Sequence, residues 1–183
     1  MNIAEKTVLV TGANRNTAPT FVLVPGAWLG AWSWQPVARL LVGRGYPVLA
    51  LTLPGLSYDS SAAGLGLADA IDYVVNEVER RDLSDVILVG HSWGGYPVTG
   101  AAHRLADRVS KVIYFSAVVP ERSKSMVDEN EQYGEIIRQA IAASPGALVP
   151  AGLDAVQGAL MPGDPALLQE LVSQMLLPQP GVT

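Results

Sequence analysis

The sequence predicts an α/β fold, a mostly parallel sheet flanked by helices. Three observations carry this. Short β-rich runs alternate with amphipathic helical patterns over the first two thirds of the chain, the order that builds a parallel sheet with helical crossovers. The runs are apolar throughout, as in strands covered on both faces. The run that ends at Val89 passes through Gly90-His91-Ser92-Trp93-Gly94 into helix-compatible sequence, a strand–turn–helix junction.

Taken in order, the predicted strands are Thr7–Thr11, Thr20–Val24, Pro47–Leu51, Val86–Val89 and Lys111–Val119. Helical patterns lie between most of them. Trp34–Val42 is one, and Tyr96–Leu105 follows the Gly-rich turn. In Leu67–Arg80, the residues Leu67, Ile71, Val74, Val75 and Val78 form a stripe that Asp69, Asp72, Glu77 and Glu79 avoid, the mark of a helix laid against a core. After Pro120 the character changes: a polar stretch, a helix with Tyr133, Ile136, Ile137, Ala140 and Ile141 on one side, then a loop with Pro145-Gly146 and Pro150. Asp164-Pro165 predicts a last helix with an aspartate cap and proline at its first position. Leu167, Leu168, Leu171, Val172 and Met175 give it an apolar face. The expectation is one domain: an atypical segment 1–19, a core 20–120 and a helical block 121–183. That block is either a lid over the sheet or more of its covering layer.

Composition narrows the function classes. Hydrophobic residues make up 49% and charged ones 16% of 183 residues, as for a globular chain with a real core. A net charge of −5 without a basic cluster points away from nucleic acid. Without cysteine, and with only His91 and His103, disulfides and thiolate metal sites are excluded and a His-rich metal site is not expected. No uncharged stretch reaches the ~20 apolar residues that span a membrane. Met1–Lys6 lacks the pattern of a secretory signal, and the expected location is cytoplasmic.

Ser92 is the candidate catalytic residue. A serine on a tight turn at the carboxyl end of a buried strand is held out where open α/β sheets bind ligands. The turn needs small neighbours, because strand and helix nearly touch, and Gly90, Gly94 and Gly95 supply them.

Three stretches, Phe21–Trp34, Leu51-Thr52-Leu53-Pro54-Gly55 and Val89–Gly95, resemble the α/β-hydrolase superfamily. Within it they are most similar to the branch of plant methyl esterases, hydroxynitrile lyases and bacterial esterases of that type. The resemblance covers residues 21 to about 120. It implies Ser92 as nucleophile, with the backbone N–H groups of Ala27 and Trp93 as the oxyanion hole. It implies a small-molecule ester-like substrate and no cofactor. Trp28, Trp32 and Trp34 also read as packing residues. The chain departs from the family at Pro25-Gly26, where His-Gly is usual, and at Tyr114-Phe115-Ser116-Ala117, where the branch often has Leu-Asp-Ala.

A serine needs a base, and in this fold the order along the chain is Ser, then Asp or Glu, then His. Only His103 follows Ser92. It sits in the same predicted helix, roughly 16 Å away at 1.5 Å per residue. His91 adjoins Ser92, and neighbouring side chains at a strand end point to opposite faces. Asp128, Asp154 and Asp164 suit surface or capping roles. The chain is therefore expected to carry the nucleophile and oxyanion half of a site without its base: a fragment, an inactive relative or part of an assembly. An unfinished sheet edge with exposed apolar surface predicts homo-oligomerisation or poor solubility.

Lys6–Arg15 is similar to the opening of short-chain dehydrogenases, but Asn16-Thr17-Ala18-Pro19 follows where further glycines are needed. The leading expectation is a serine-nucleophile hydrolase of small esters or related acyl compounds. The alternatives are a catalytically silent binding protein of the same fold, and an NAD(P)-dependent short-chain dehydrogenase-like protein.

Overall fold

The structure, a computed structural model, describes residues 18–181 apart from 123 and 130. The expected strand Thr7–Thr11 and the dehydrogenase-like segment lie outside the described residues, as does the side chain of Tyr133.

Four strands, β1 (Thr20–Val24), β2 (Val48–Ala50), β3 (Val86–His91) and β4 (Val109–Phe115), form one parallel sheet in the order β2-β1-β3-β4. β1 and β3 are central. Their partners Val22↔Leu88 and Leu23↔Val89 alternate between two cores. On one face Val22, Val24, Val86 and Leu88 pack with Val74, Val75 and Val78 of α2 (Leu67–Arg80) and Val98 and Ala101 of α3 (Gly95–Arg104). On the other, Leu23 and Val89 meet Trp34 and the partly buried Ala38 and Leu41 of α1 (Gln35–Gly43).

The helices follow the periodicity with local adjustments. Gln35–Gly43 is preceded by a 3₁₀ turn, Ala31–Trp34, so the expected start at Trp34 falls on the junction. α2 has the predicted bounds, and its first turn is closed by the Gly66 N–H donating to Asp69 Oδ2 at 2.8 Å. Glu77, off the apolar stripe, is nevertheless buried. Arg80 and Arg81 both bond its carboxylate. The Arg80 hydrogen bond holds the Glu77 carboxyl below its usual pKa against the opposing effect of burial. Packing of α2 on α3 is close enough that a Cβ at Gly100 would lie 2.4 Å from Ile71 Cδ1.

β4 ends earlier than the apolar run suggested. Ser116 takes φ +43° and the chain turns back over the end of β3. Beyond it come α4 (Met126–Glu129), α5 (Glu131–Ala143) and the short strand β5 (Leu148–Val149). Then follow α6 (Leu153–Ala155) with a π-helical turn Val156–Leu160, α7 (Ala166–Ser173) and the strand β6 (Gln179–Pro180). β5 and β6 pair antiparallel, Val149 opposite Gln179. This block meets the loop after β1 through a third cluster, Leu29, Val156 and Leu176, against which Trp28, Trp32 and Val172 pack.

α7 starts one residue later than predicted. Pro165 has ψ 135°, so it stands at the cap, and Asp164 makes no side-chain cap. Of its apolar residues, Leu167, Leu168 and Leu171 are exposed, as is Met175 just past its end, and Val172 packs inward. Gln169 is buried instead, donating to the Met161 carbonyl at 2.9 Å.

Candidate active site

Ser92 follows β3 directly and takes φ +51°, a left-handed backbone on a residue with a Cβ, which costs about 1–3 kcal/mol and persists only where the surroundings enforce it. The enforcement is visible. The Ser92 N–H donates to Ser116 O at 3.2 Å, and its carbonyl accepts from the Val118 N–H at 3.1 Å. The three expected glycines act by size. A Cβ at Gly90 would sit 2.6 Å from Gly94 O, one at Gly94 would sit 2.6 Å from Pro25 O, and one at Gly95 would sit 1.9 Å from Val118 O. Gly94 and Gly95 have ordinary helical φ, −56° and −59°, so positive φ in this turn belongs to the serine alone.

The loop after β1 passes against the serine. A Cβ at Gly26 would lie 2.9 Å from Ser92 Cβ. Residues 26–29 form a turn closed by Leu29 N–H on Gly26 O at 3.3 Å, with Trp28 at φ +66° in its third position, the place where a type II turn favours glycine. Trp28 is secured on three sides: its N–H donates to Gln179 Oε1 at 3.3 Å, its indole Nε1–H to Val149 O at 3.1 Å, and its carbonyl accepts from Leu177 N–H at 3.2 Å.

Ala27 and Trp93 line one cavity of about 100 Å³. Trp28, Ile137, Ile141, Val149 and Gln179 complete much of its wall. Among the described residues no acceptor takes the Ala27 N–H. Ser92 is half-buried, and its Oγ has no hydrogen bond among the described residues. Ser125 and Met126, together with Trp93, also border an adjoining cleft.

The structure does not bring a histidine to Ser92 Oγ. His103 is exposed in the last turn of α3. The His91 ring follows the Val89 face of β3 and packs against Trp34 and Phe115, with centroids 6.2 and 6.0 Å away. Burial pushes its pKa below the ordinary value, which favours the neutral ring. Asp128 is occupied by Ser125 and Arg138, which hold its carboxyl below the usual range. Trp34 is core, and Trp28 and Trp32 pack partly buried against the third cluster, in line with the expected packing roles of the three. Sequence reasoning missed Gln179. Its flanking prolines, Pro178 and Pro180, signal an extended segment, and nothing in the pattern signals what that segment meets.

Residues 21–181 match the Alpha/beta hydrolase family, and the chain belongs to it. It is 39% identical over 109 residues to a carbendazim hydrolyzing esterase of Nocardioides sp. (strain SG-4G), covering 58% of this chain and 45% of that protein. To polyneuridine aldehyde esterase of Rauvolfia serpentina it is 33% identical over 135 residues, 68% and 48% of the two chains. The chain thus spans about half the length of the curated relatives it matches. Among solved structures, an extracellular alpha/beta-hydrolase from a Paenibacillus species superposes with a TM-score of 0.84 at 23% identity, over 90% of this chain and 68% of that one. A methylesterase from Arabidopsis gives 0.69 at 26%, over 89% and 67%. These likenesses bear out the expected superfamily, its methylesterase branch and the flanked parallel sheet. Among the described residues, no helix is long and apolar enough to cross a membrane.

Proposed function

We propose that the protein is a serine-nucleophile hydrolase of small esters or related acyl compounds. Ser92 Oγ attacks the ester carbonyl carbon. The carbonyl oxygen, now an oxyanion, is held by the N–H groups of Ala27 and Trp93. Collapse of the tetrahedral intermediate breaks the bond to the alkoxy oxygen, which takes up the proton that Ser92 gave to the base and leaves as the alcohol, and water then releases the acid from Ser92. Losing one oxyanion donor typically costs ~3 kcal/mol of barrier. The observation that carries the reading is the left-handed Ser92 with an unbonded Oγ, next to a cavity edged by Ala27 and Trp93. The esterase activity named for the relatives supports it. The proton of Ser92 goes to a base that the described residues do not place at Oγ: water, or a group outside them.

That last point favours a second reading, a silent binding protein using the same cavity. A fluorophosphonate probe separates the two. The hydrolase reading expects the probe to label the protein, with labelling lost in Ser92→Ala. An unlabelled protein that still binds esters saturably supports the binding reading, and equal labelling of Ser92→Ala overturns Ser92 as nucleophile.

A further inference from the structure

The geometry points to Gln179 as the specificity-determining residue of this cavity: its Nε2 amide selects a substrate whose buried arm carries a hydrogen-bond acceptor, a carbonyl or ether oxygen. The placement of the arm rests on the ester-hydrolase reading; the donor itself does not.

Gln179 is 5% exposed and lines the cavity. Its two ends are chemically distinct, and the loop decides which faces where. A backbone N–H can only donate, so the contact with Trp28 N–H fixes the acceptor Oε1 on the loop side. The Nε2 end is then left for partners other than that N–H. Among the described residues no acceptor takes its hydrogens. The donor is not sealed off in the free protein, since among the described residues Trp34 Nε1 is the fully buried side-chain atom left without a partner. The Gln179 donor loses its hydrogen bonds when an apolar arm fills the cavity and displaces water from it. The rest of the wall contains little to compete for one: Trp28, Met126, Val127, Ile137, Ile141 and Val149 present mainly apolar surface. The indole N–H of Trp28 is already spent on Val149 O.

A cavity of this kind binds a purely hydrocarbon arm with its donor left dry. An arm with an oxygen in reach satisfies it, and sites built to bond a substrate oxygen discriminate strongly against the analogue that lacks it. The side chain thus has two separable duties, one carried by its oxygen and one by its nitrogen.

The test uses two matched ester pairs, methyl acetoacetate against methyl butanoate and methyl levulinate against methyl pentanoate. Each pair differs by a ketone in place of a methylene. Binding is followed by the fluorescence of the cavity tryptophans, in the full chain carrying Ser92→Ala so that no ester turns over. At least one keto ester is expected to bind about tenfold tighter than its partner, the size of one net hydrogen bond. At mildly alkaline pH, Gln179→Glu keeps an acceptor for Trp28 N–H but has no donor, and it is expected to abolish the preference; Gln179→Leu is expected to do the same. The inference is overturned if neither keto ester is preferred, if the preference survives in both variants, or if no ester binds saturably. The comparison within the parent chain stands even if a variant fails to fold. Failure of phosphonate labelling with the preference intact would remove the hydrolase reading and leave Gln179 as the selector of a binding site.

Discussion

The cavity wall at Trp93 rests on main-chain contacts between neighbours in the sheet, whereas the wall at Trp28 rests partly on a bond to Gln179, 151 positions away. On the first side, Gly90, Gly94 and Gly95 bring strand, loop and helix backbones so close that a single Cβ would overlap a carbonyl. On the second, a tryptophan in a left-handed conformation donates two hydrogen bonds to the paired strands β5 and β6 and accepts one from Leu177 just before β6. The elbow tolerates almost no change of shape. The opposite wall is adjustable, since side chains can be exchanged one bond at a time.

The largest effect that would probe this contrast is Gly95→Ala. Its Cβ would lie 1.9 Å from Val118 O, a backbone atom with no rotamer to give way. A loss of about 3 kcal/mol or more in urea denaturation is expected. Gly43→Ala, with nothing within 4 Å, is the control and is expected to cost nothing. A small loss at Gly95 would mean the elbow yields as easily as the far wall.

Trp28→Phe is expected to cost less, roughly 1–2 kcal/mol. It removes the indole donor from Val149 O but keeps most of the ring. The same unfolding curves measure it, and an effect as large as that at Gly95 would erase the distinction between the walls.

The smallest effect has the opposite sign. Ser92→Gly relieves a residue at φ +51°, and relief of that strain outweighs the added freedom of the unfolded chain by about 0.5–1 kcal/mol. A rise in the denaturation midpoint is expected. A fall would show that the turn is not strained at Ser92.

The difference between the walls also explains what could be read in advance. The parallel sheet, the bounds of α2 and the need for small residues around Ser92 were legible, because each follows from local pattern or from contacts close in sequence. The burial of Glu77 was not, since it depends on Arg80 and Arg81 folding over a carboxylate that periodicity places outside. The apolar side of α7 was legible, but not that Leu167, Leu168 and Leu171 would lie open while Gln169 turned inward. Periodicity describes one helix and says nothing of its neighbours. Gln179 was invisible for the same reason: its meaning comes from Trp28, and no short-range signal joins the two.

The backbone at position 92 also limits what chemistry this scaffold can evolve. A left-handed residue tolerates a single unbranched substituent at Cβ far better than a forked one. Cysteine or aspartate could replace the hydroxyl with a thiol or a carboxylate at little steric cost, while threonine would crowd its own main chain. Under the proposed role of Ser92, the choice of attacking atom at this corner is therefore filtered by torsion before it is filtered by reactivity.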